Sequence, residues 1–243
     1  MDSMMLWLAG ALIVLAGAAI GACSIGGVLV VPALSRFAGL PLAEAVAASS
    51  LAFAVTGLAG RRSVREAGID SRTLWPLYGA ALLAALAGAA LVHVFDPDVT
   101  RNWVALLAVA SGVYGLIPLS AGAGRPMPGT PTLCVLGLVV GFGSALSGTG
   151  GPVLLLPLLM LLRVPVTRAV AVSQSVQLPI ALAASTGHAL NGHLPWAPGL
   201  AIGVVMLGSA TAGRRLASYC SPAVLRLGIS LGLVALGFWY VMT

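Results

Sequence analysis

Long apolar runs follow one another along this chain, and they do not alternate with polar positions; residues 6–20 and 82–92 are the plainest cases. A membrane β-strand alternates polar and apolar residues, whereas a lipid-spanning helix needs roughly 20 apolar residues in a row. The pattern therefore predicts helices over 4–22, 42–60, 74–95, 103–119, 166–187, 196–212 and 223–241. Two further segments are apolar but interrupted. Residues 4–22 break at 23–27 and resume as a short piece over 28–34, and residues 132–146 break at 147–152 and resume over 153–162. Turns follow at 35–41 and 163–167, and loops are expected at 61–72, around Asp96 and Asp98, and at 188–195.

Sliding the chain by 124 positions aligns the two interrupted segments. Gly26 and Gly27 fall on Gly150 and Gly151, Leu34 on Leu158, Pro41 on Pro165, Ala45, Val46 and Ala47 on Ala169, Val170 and Ala171, and Ser49 on Ser173. The spacing is that of an internal duplication. One integral membrane domain, 1–243, is expected, with repeat one at 4–120, a Gly/Pro-rich linker at 121–130 and repeat two at 131–241.

Composition narrows the solvent. With 59% hydrophobic and 7% charged residues, a water-soluble globule of this length would expose too much apolar surface. The net charge of +6 comes from arginines lying singly or in small groups between apolar runs, with no basic stripe interleaved with aromatics. They read as topology anchors, and nucleic acid is not expected as a partner. Placing 61–72 on the inside, with three full crossings per repeat, puts ten of the twelve arginines inside and leaves Arg36 and Arg101 outside. Three is odd, so the two repeats are expected to be inverted, one broken hairpin entering from each face. A secretory leader ending at Cys23 is rejected, because residues 6–22 follow Asp2 and no arginine, and Cys23 belongs to the repeat. Cys23, Cys134 and Cys220 lack disulfide or metal-ligand spacing. No metal and no cofactor is expected. His188 and His193 are expected in a loop, able to sense external pH.

The chemistry is expected at the breaks. In lipid, a broken helix is tolerated only where it is buried in protein or lines a wet cavity. Each second half-helix opens with free N–H groups and the positive end of its dipole, which suits an anion. Gly26, Gly27, Gly150 and Gly151 allow close backbone approach, and Cys23, Ser24, Ser147 and Thr149 stand where they could donate hydrogen bonds. The helices after the turns add Ser49, Ser50, Ser173, Gln174 and Gln177 as a second polar wall, with Thr56 and Ser175 nearby. The plain alternatives are close helix packing by small residues and hydroxyls bonded back to their own helices. Glu44 and Arg168 occupy equivalent helix starts and are the candidates for proton coupling or gating; a helix cap is the plainer reading of Glu44.

The stretches Ser24-Ile25-Gly26-Gly27-Val28-Leu29-Val30-Val31-Pro32 and Ser147-Gly148-Thr149-Gly150-Gly151-Pro152-Val153-Leu154-Leu155-Leu156-Pro157 resemble the sulfite exporter TauE/SafE family. Both are Gly-rich turns followed by an apolar piece and a proline, then a helix with an Ala/Ser-rich start, here 45–50 and 169–175. The sequence departs from the family's fuller glycine run at Val28 and Pro152. The resemblance implies an all-α polytopic bundle that moves small sulfur-containing anions, such as sulfite or organosulfonates, across the bacterial inner membrane, with export as its direction. Alternating access between the two hairpins is the expected mechanism. An anion channel is the nearest alternative. An intramembrane enzyme would need an acid/base or nucleophile–base constellation that the buried segments do not offer.

Overall fold

The computed structural model describes residues 3–24, 26–58, 60–116, 126–217, 219 and 222–242. Arg125 and Cys220, and the side chains of Cys23, Arg61 and Arg226, lie outside the described residues. Among the described residues the secondary structure is entirely helical. Eleven α-helical segments follow in order: α1 (Ser3–Cys23), α2 (Val30–Pro32), α3 (Leu42–Gly57), α4 (Gly60–Glu66), α5 (Trp75–Leu91), α6 (Pro97–Leu116), α7 (Thr130–Ser147), α8 (Pro152–Leu161), α9 (Val166–Leu190), α10 (Trp196–Ala217) and α11 (Pro222–Met242). Among the described residues five helices are long and apolar enough to cross a membrane: Met4–Ala22, Ser71–Leu91, Thr130–Ser147, Val166–Leu190 and Trp196–Arg215. Gly27–Phe37, Leu42–Gly57, Pro152–Leu161 and Ser230–Tyr240 are shorter apolar helices. Trp7, Leu83 and Val204 stand exposed on the outside of the bundle, as lipid-facing side chains do.

Three expectations change. The charged stretch 61–72 is helical as far as Glu66: α4 continues the line of α3 after a short interruption, buries Val64, and carries an Arg62–Glu66 ion pair one turn apart at 2.7 Å. The acidic loop is the start of α6. The Asp96 carboxylate accepts from Asp98 N–H at 2.8 Å, Pro97 opens the helix, and Asp98 pairs with Arg101 at 3.1 Å, which together favour an early N-terminus. The piece after the first break runs to Phe37 as a 3-10 turn (Gly27–Leu29), α2 and a π-helical turn (Ala33–Phe37). Its counterpart α8 is a regular helix despite Pro157.

The backbone repeats itself at the spacing seen in the sequence. Left-handed residues recur in three pairs 124 apart: Ser24 (φ 59°) and Gly148 (61°), Gly39 (70°) and Arg163 (61°), Gly68 (65°) and Gly192 (72°). Pro41 and Pro165 precede α3 and α9 with nearly the same angles. Packing follows the same exchange. α1 lies on α10 as α7 lies on α5, α3 on α10 as α9 on α5, while α3 meets α9 and α6 meets α11. Ser63 bonds Gln174, and Thr56 and Phe53 bond Gln177, so the line α3–α4 runs antiparallel to α9.

Helices with no water-driven attraction between them associate in lipid through close backbone approach at small residues. A Cβ added to Gly141 would lie 2.7 Å from the Ala81 Cα across the α5–α7 contact, whereas one added to Gly79 meets nothing within 4 Å. Gly141→Leu should therefore cost about 1–3 kcal/mol or more by overpacking. Gly79→Leu should be silent, and thermal unfolding of the two variants in detergent checks the difference.

All three histidines gather at one end of the bundle. His188 is not a loop residue but lies in the last turn of α9, fully buried, because α9 runs three residues beyond the expected 187. Its Nδ1 lies 3.0 Å from Nε2 of His93, in the turn after α5, and the His93 ring stacks on His193 at 4.4 Å. His93 was not singled out by the sequence pattern. Of the charged residues nearest in the chain, the Asp96 carboxylate accepts from Asp98 N–H and Asp98 pairs with Arg101, and α10 opens without an ionisable residue. Burial, then the neighbouring His193, holds the His93 pKa below its ordinary 6.5. The folded state thus keeps His93 neutral where the unfolded chain takes up a proton. Stability is full above about pH 6.5 and is lost as pH falls through the folded value. The melting temperature should drop between pH 7 and pH 5, and His93→Asn should flatten that drop.

Candidate anion site at the two helix breaks

The chain breaks where glycine and a left-handed residue make continuation of a helix impossible. α1 ends at Cys23 and Ser24 turns left-handed; α7 ends at Ser147 and Gly148 does the same. Left-handed φ costs a side chain but not glycine, so Ser24 carries strain that Gly148 avoids. Gly150 (φ 75°) and Gly151 (φ 108°) then lead into α8, and Gly151 N-caps it. Pro152 opens α8 without an N–H and the Leu154 N–H bonds Gly151 O at 3.1 Å, so of the first three residues of α8 only Val153 keeps an N–H to turn toward the break.

The two breaks meet each other. A Cβ on Gly27 would lie 2.8 Å from the Thr149 carbonyl oxygen and 2.9 Å from Phe53 Cζ, and one on Gly150 would lie 2.7 Å from Phe53 Cγ. Phe53, buried on α3, is the wedge against which both glycine turns pack. The sequence pattern did not single it out. The one signal available was its register, since Phe53 and Gln177 are 124 apart.

Most of the expected site residues are buried here, and most of their protons are spent. Ser49 Oγ lies 2.9 Å from both the Val46 and the Gly148 carbonyls, so α3 caps the second break. Ser50 bonds Val46 of its own helix, and Ser175 bonds Val172 while accepting from Tyr78 at 2.7 Å. Ser147 donates to Gly143 O at 2.8 Å and lies 2.9 Å from the Thr149 hydroxyl. Gln174 donates to Ser24 at 2.8 Å and accepts from Ser63 at 2.7 Å. Gln177 donates to Phe53 O at 3.2 Å and Thr56 Oγ1 at 2.6 Å. Ser173 and Ser144 differ: both hydroxyls are buried without a hydrogen-bond partner. Ser63, Tyr78, Ser144 and Trp103, whose Nε1 donates to Gly143 O at 2.9 Å, are polar members of this centre that sequence spacing missed.

Glu44 and Arg168 are not brought to the breaks. Glu44 sits half-buried in the first turn of α3, and Arg168 is exposed in the first turn of α9. Cys134 is a free, half-buried thiol on α7. No group of three or more His, Cys, Asp or Glu that could hold a metal ion occurs among the described residues. A cavity of about 590 Å³ between α6, α7 and α8 is lined by apolar side chains such as Phe95, Leu106, Val139 and Phe142 and suits acyl chains better than an anion.

The centre is thus a buried meeting of two helix breaks, carrying donors but no buried charge, inside a bundle with lipid-facing walls. No curated protein and no solved structure matches the chain. A family model does, described as Sulfite exporter TauE/SafE and matching residues 6–240. The motifs at 24–32 and 147–157 lie inside that match, which spans nearly the whole of both repeats. On this ground the chain belongs to the TauE/SafE sulfite exporter family of membrane transporters.

Proposed function

We propose that this protein is a secondary transporter of small sulfur-containing anions, such as sulfite or organosulfonates, in the bacterial inner membrane, working by alternating access with export as its net direction. The observation that carries the reading is the face-to-face contact of two equivalent helix breaks, Gly27 against Thr149, in the buried centre. Family membership supports the substrate class. The antiparallel course of the equivalent helices α3 and α9, and the exchange of helix contacts between halves, support two inverted repeats whose broken segments enter from opposite faces. Two such halves can rock against one another and open the centre to either side in turn.

In this reading the anion displaces the packed contact between the breaks and takes hydrogen bonds from the Val153 N–H at the start of α8 and from Ser173, whose hydroxyl is otherwise unpartnered. Ser24, Gly26, Ser147, Thr149, Gln174 and Gln177 shape the polar walls, and Cys23 belongs to the same break. Glu44 and Arg168 stand at the entrances of α3 and α9, where proton coupling or gating would act. Gradient-driven flux that persists unchanged in Glu44→Gln removes that role and leaves a helix cap.

Thermal stabilisation of the purified protein by sulfite, thiosulfate, sulfoacetate, taurine and chloride tests the substrate class, since a ligand of the folded state raises apparent stability. Ser173→Ala should weaken sulfite binding by about 1 kcal/mol. Gly151→Leu should abolish it, since the added side chain would run into Val176 and Ile180. Normal binding by a folded, inserted Gly151→Leu would make the breaks packing joints.

Topology has its own test. Cysteines placed at Asp98 and Asn191, in a background lacking the native three, should react with an impermeant thiol reagent from outside, and one at Gly68 should not. Labelling of positions 98 and 191 from opposite faces would end the inverted-repeat reading.

A further inference from the structure

The polar chemistry around the breaks is one-sided. A small cavity of about 30 Å³ lies beside the first break, bounded by Gly21 of α1, Thr56 of α3, Gln174 and Gln177 of α9, and Ala210 and Arg214 of α10. Moving each lining residue by 124 positions shows what the other half offers at the equivalent place. Gln177 becomes Phe53, Gln174 becomes Ser50, Thr56 becomes Ile180, and Arg214 becomes Ala90. Ser50 already bonds its own helix, and the Phe53 ring fills the space between the glycine turns. Only one half therefore offers a cation and two side-chain amides.

Arg214 is in no ion pair among the described residues. The ion pairs among the described residues are Arg62–Glu66 and Arg101–Asp98. The six side-chain carboxylates of the chain are Asp2, Glu44, Glu66, Asp70, Asp96 and Asp98, so α9 and α10 carry none, nor does the described part of α1; α3 carries Glu44 in its first turn, and α4 carries Glu66, which pairs with Arg62. Arg214 is exposed and also lines the cavity, which places the residue at its mouth. The inner wall offers one more donor. Gln174 uses one amide N–H on Ser24, leaving the second, whereas Gln177 uses both on Phe53 O and Thr56. Its bond to Ser24 ties Gln174, and so one wall of the cavity, to the left-handed turn of the first break.

We propose that Arg214 and Gln174 form an asymmetric oxyanion subsite at the mouth of this cavity, in which the guanidinium binds the anion's oxygens and Gln174 fixes its orientation. This rests on the transport reading above and adds a second station to it: the anion is held next to the first break, toward the face that carries Arg214, on its way to or from the centre between the breaks. A guanidinium offers a planar fork of N–H donors that matches two oxygens of an oxyanion. By the measure in which one water needs about 10–15 Å³, the cavity takes a compact head group and no more. Any organic tail must point outward past Arg214.

Calorimetric titration of sulfite into the purified full-length protein tests this. Arg214→Gln should weaken sulfite affinity about tenfold or more. Arg214→Lys should recover part of the loss, because it restores charge without the fork. Arg72→Gln, which removes an exposed arginine outside the cavity, should bind as the parent does. Gln174→Leu should lower affinity and reduce the preference for sulfite over chloride. Parent-like affinity in Arg214→Gln, with Ser173→Ala weakened, overturns the subsite and leaves the transport reading standing. Loss in Arg214→Gln with Ser173→Ala unaffected supports the subsite and moves the binding site away from the centre of the breaks. Absence of sulfite binding by the parent protein overturns both.

Discussion

A helix that stops inside lipid leaves backbone groups that no water can reach, and this molecule is arranged around satisfying them. At the second break Thr149 N–H turns back to Ser144 O at 3.2 Å, Ser49 of another helix reaches the Gly148 carbonyl, and Leu154 and Leu155 return to Gly151 O. At the first, Ser24 N–H bonds Ile20 O and Leu29 N–H bonds Gly26 O, each at 3.0 Å. The remaining protection is steric. Phe53 covers both glycine turns, and the turns cover each other. These groups can be released to a ligand only if a ligand replaces the partners they now have, which links binding at the centre to movement of the helices around it.

That link is physically reasonable because the helices supporting the breaks come from opposite halves. α1, which leads into the first break, lies on α10 of the second half; α7, which leads into the second, lies on α5 of the first. The tight contacts are backbone on backbone at small residues, such as Gly141 on Ala81 and Gly57 on Leu178. Contacts of this kind are rigid across a helix pair yet bury few interlocked side chains. Polar cross-links between the halves near the centre include Gln177 to Phe53 and Thr56, Gln174 to Ser24 and Ser63, Ser49 to the Gly148 carbonyl, and Tyr78 to Ser175.

The two halves have drifted apart in chemistry while keeping their backbone. His188 falls on Val64 and Gln177 on Phe53 when the halves are aligned, so one end gained a histidine cluster and one flank of the centre gained amides.

The sequence alone determined the helical membrane class, the duplication and the location of both breaks, because apolar length, a 124-residue register and paired glycines are local and repeat in plain view. The recurrence of left-handed turns at 24 and 148, 39 and 163, and 68 and 192 follows from that same local chemistry. Helix ends were less legible. α6 starts early because Asp96 caps it, and 61–66 is helical because Val64 is buried and Arg62 pairs with Glu66, effects that charge counting hides. Tertiary structure decided what the polar residues do. Spacing placed Ser147, Thr149 and Ser49 at the site, but only packing shows that their protons already go to neighbouring oxygens, while the Ser173 hydroxyl has no partner. It also brought in residues distant in the chain: Phe53 between the breaks, Arg214 at the cavity, and His93 against His188 and His193. Such contacts join positions up to about 190 residues apart, and no local pattern of hydrophobicity encodes which helices will cross.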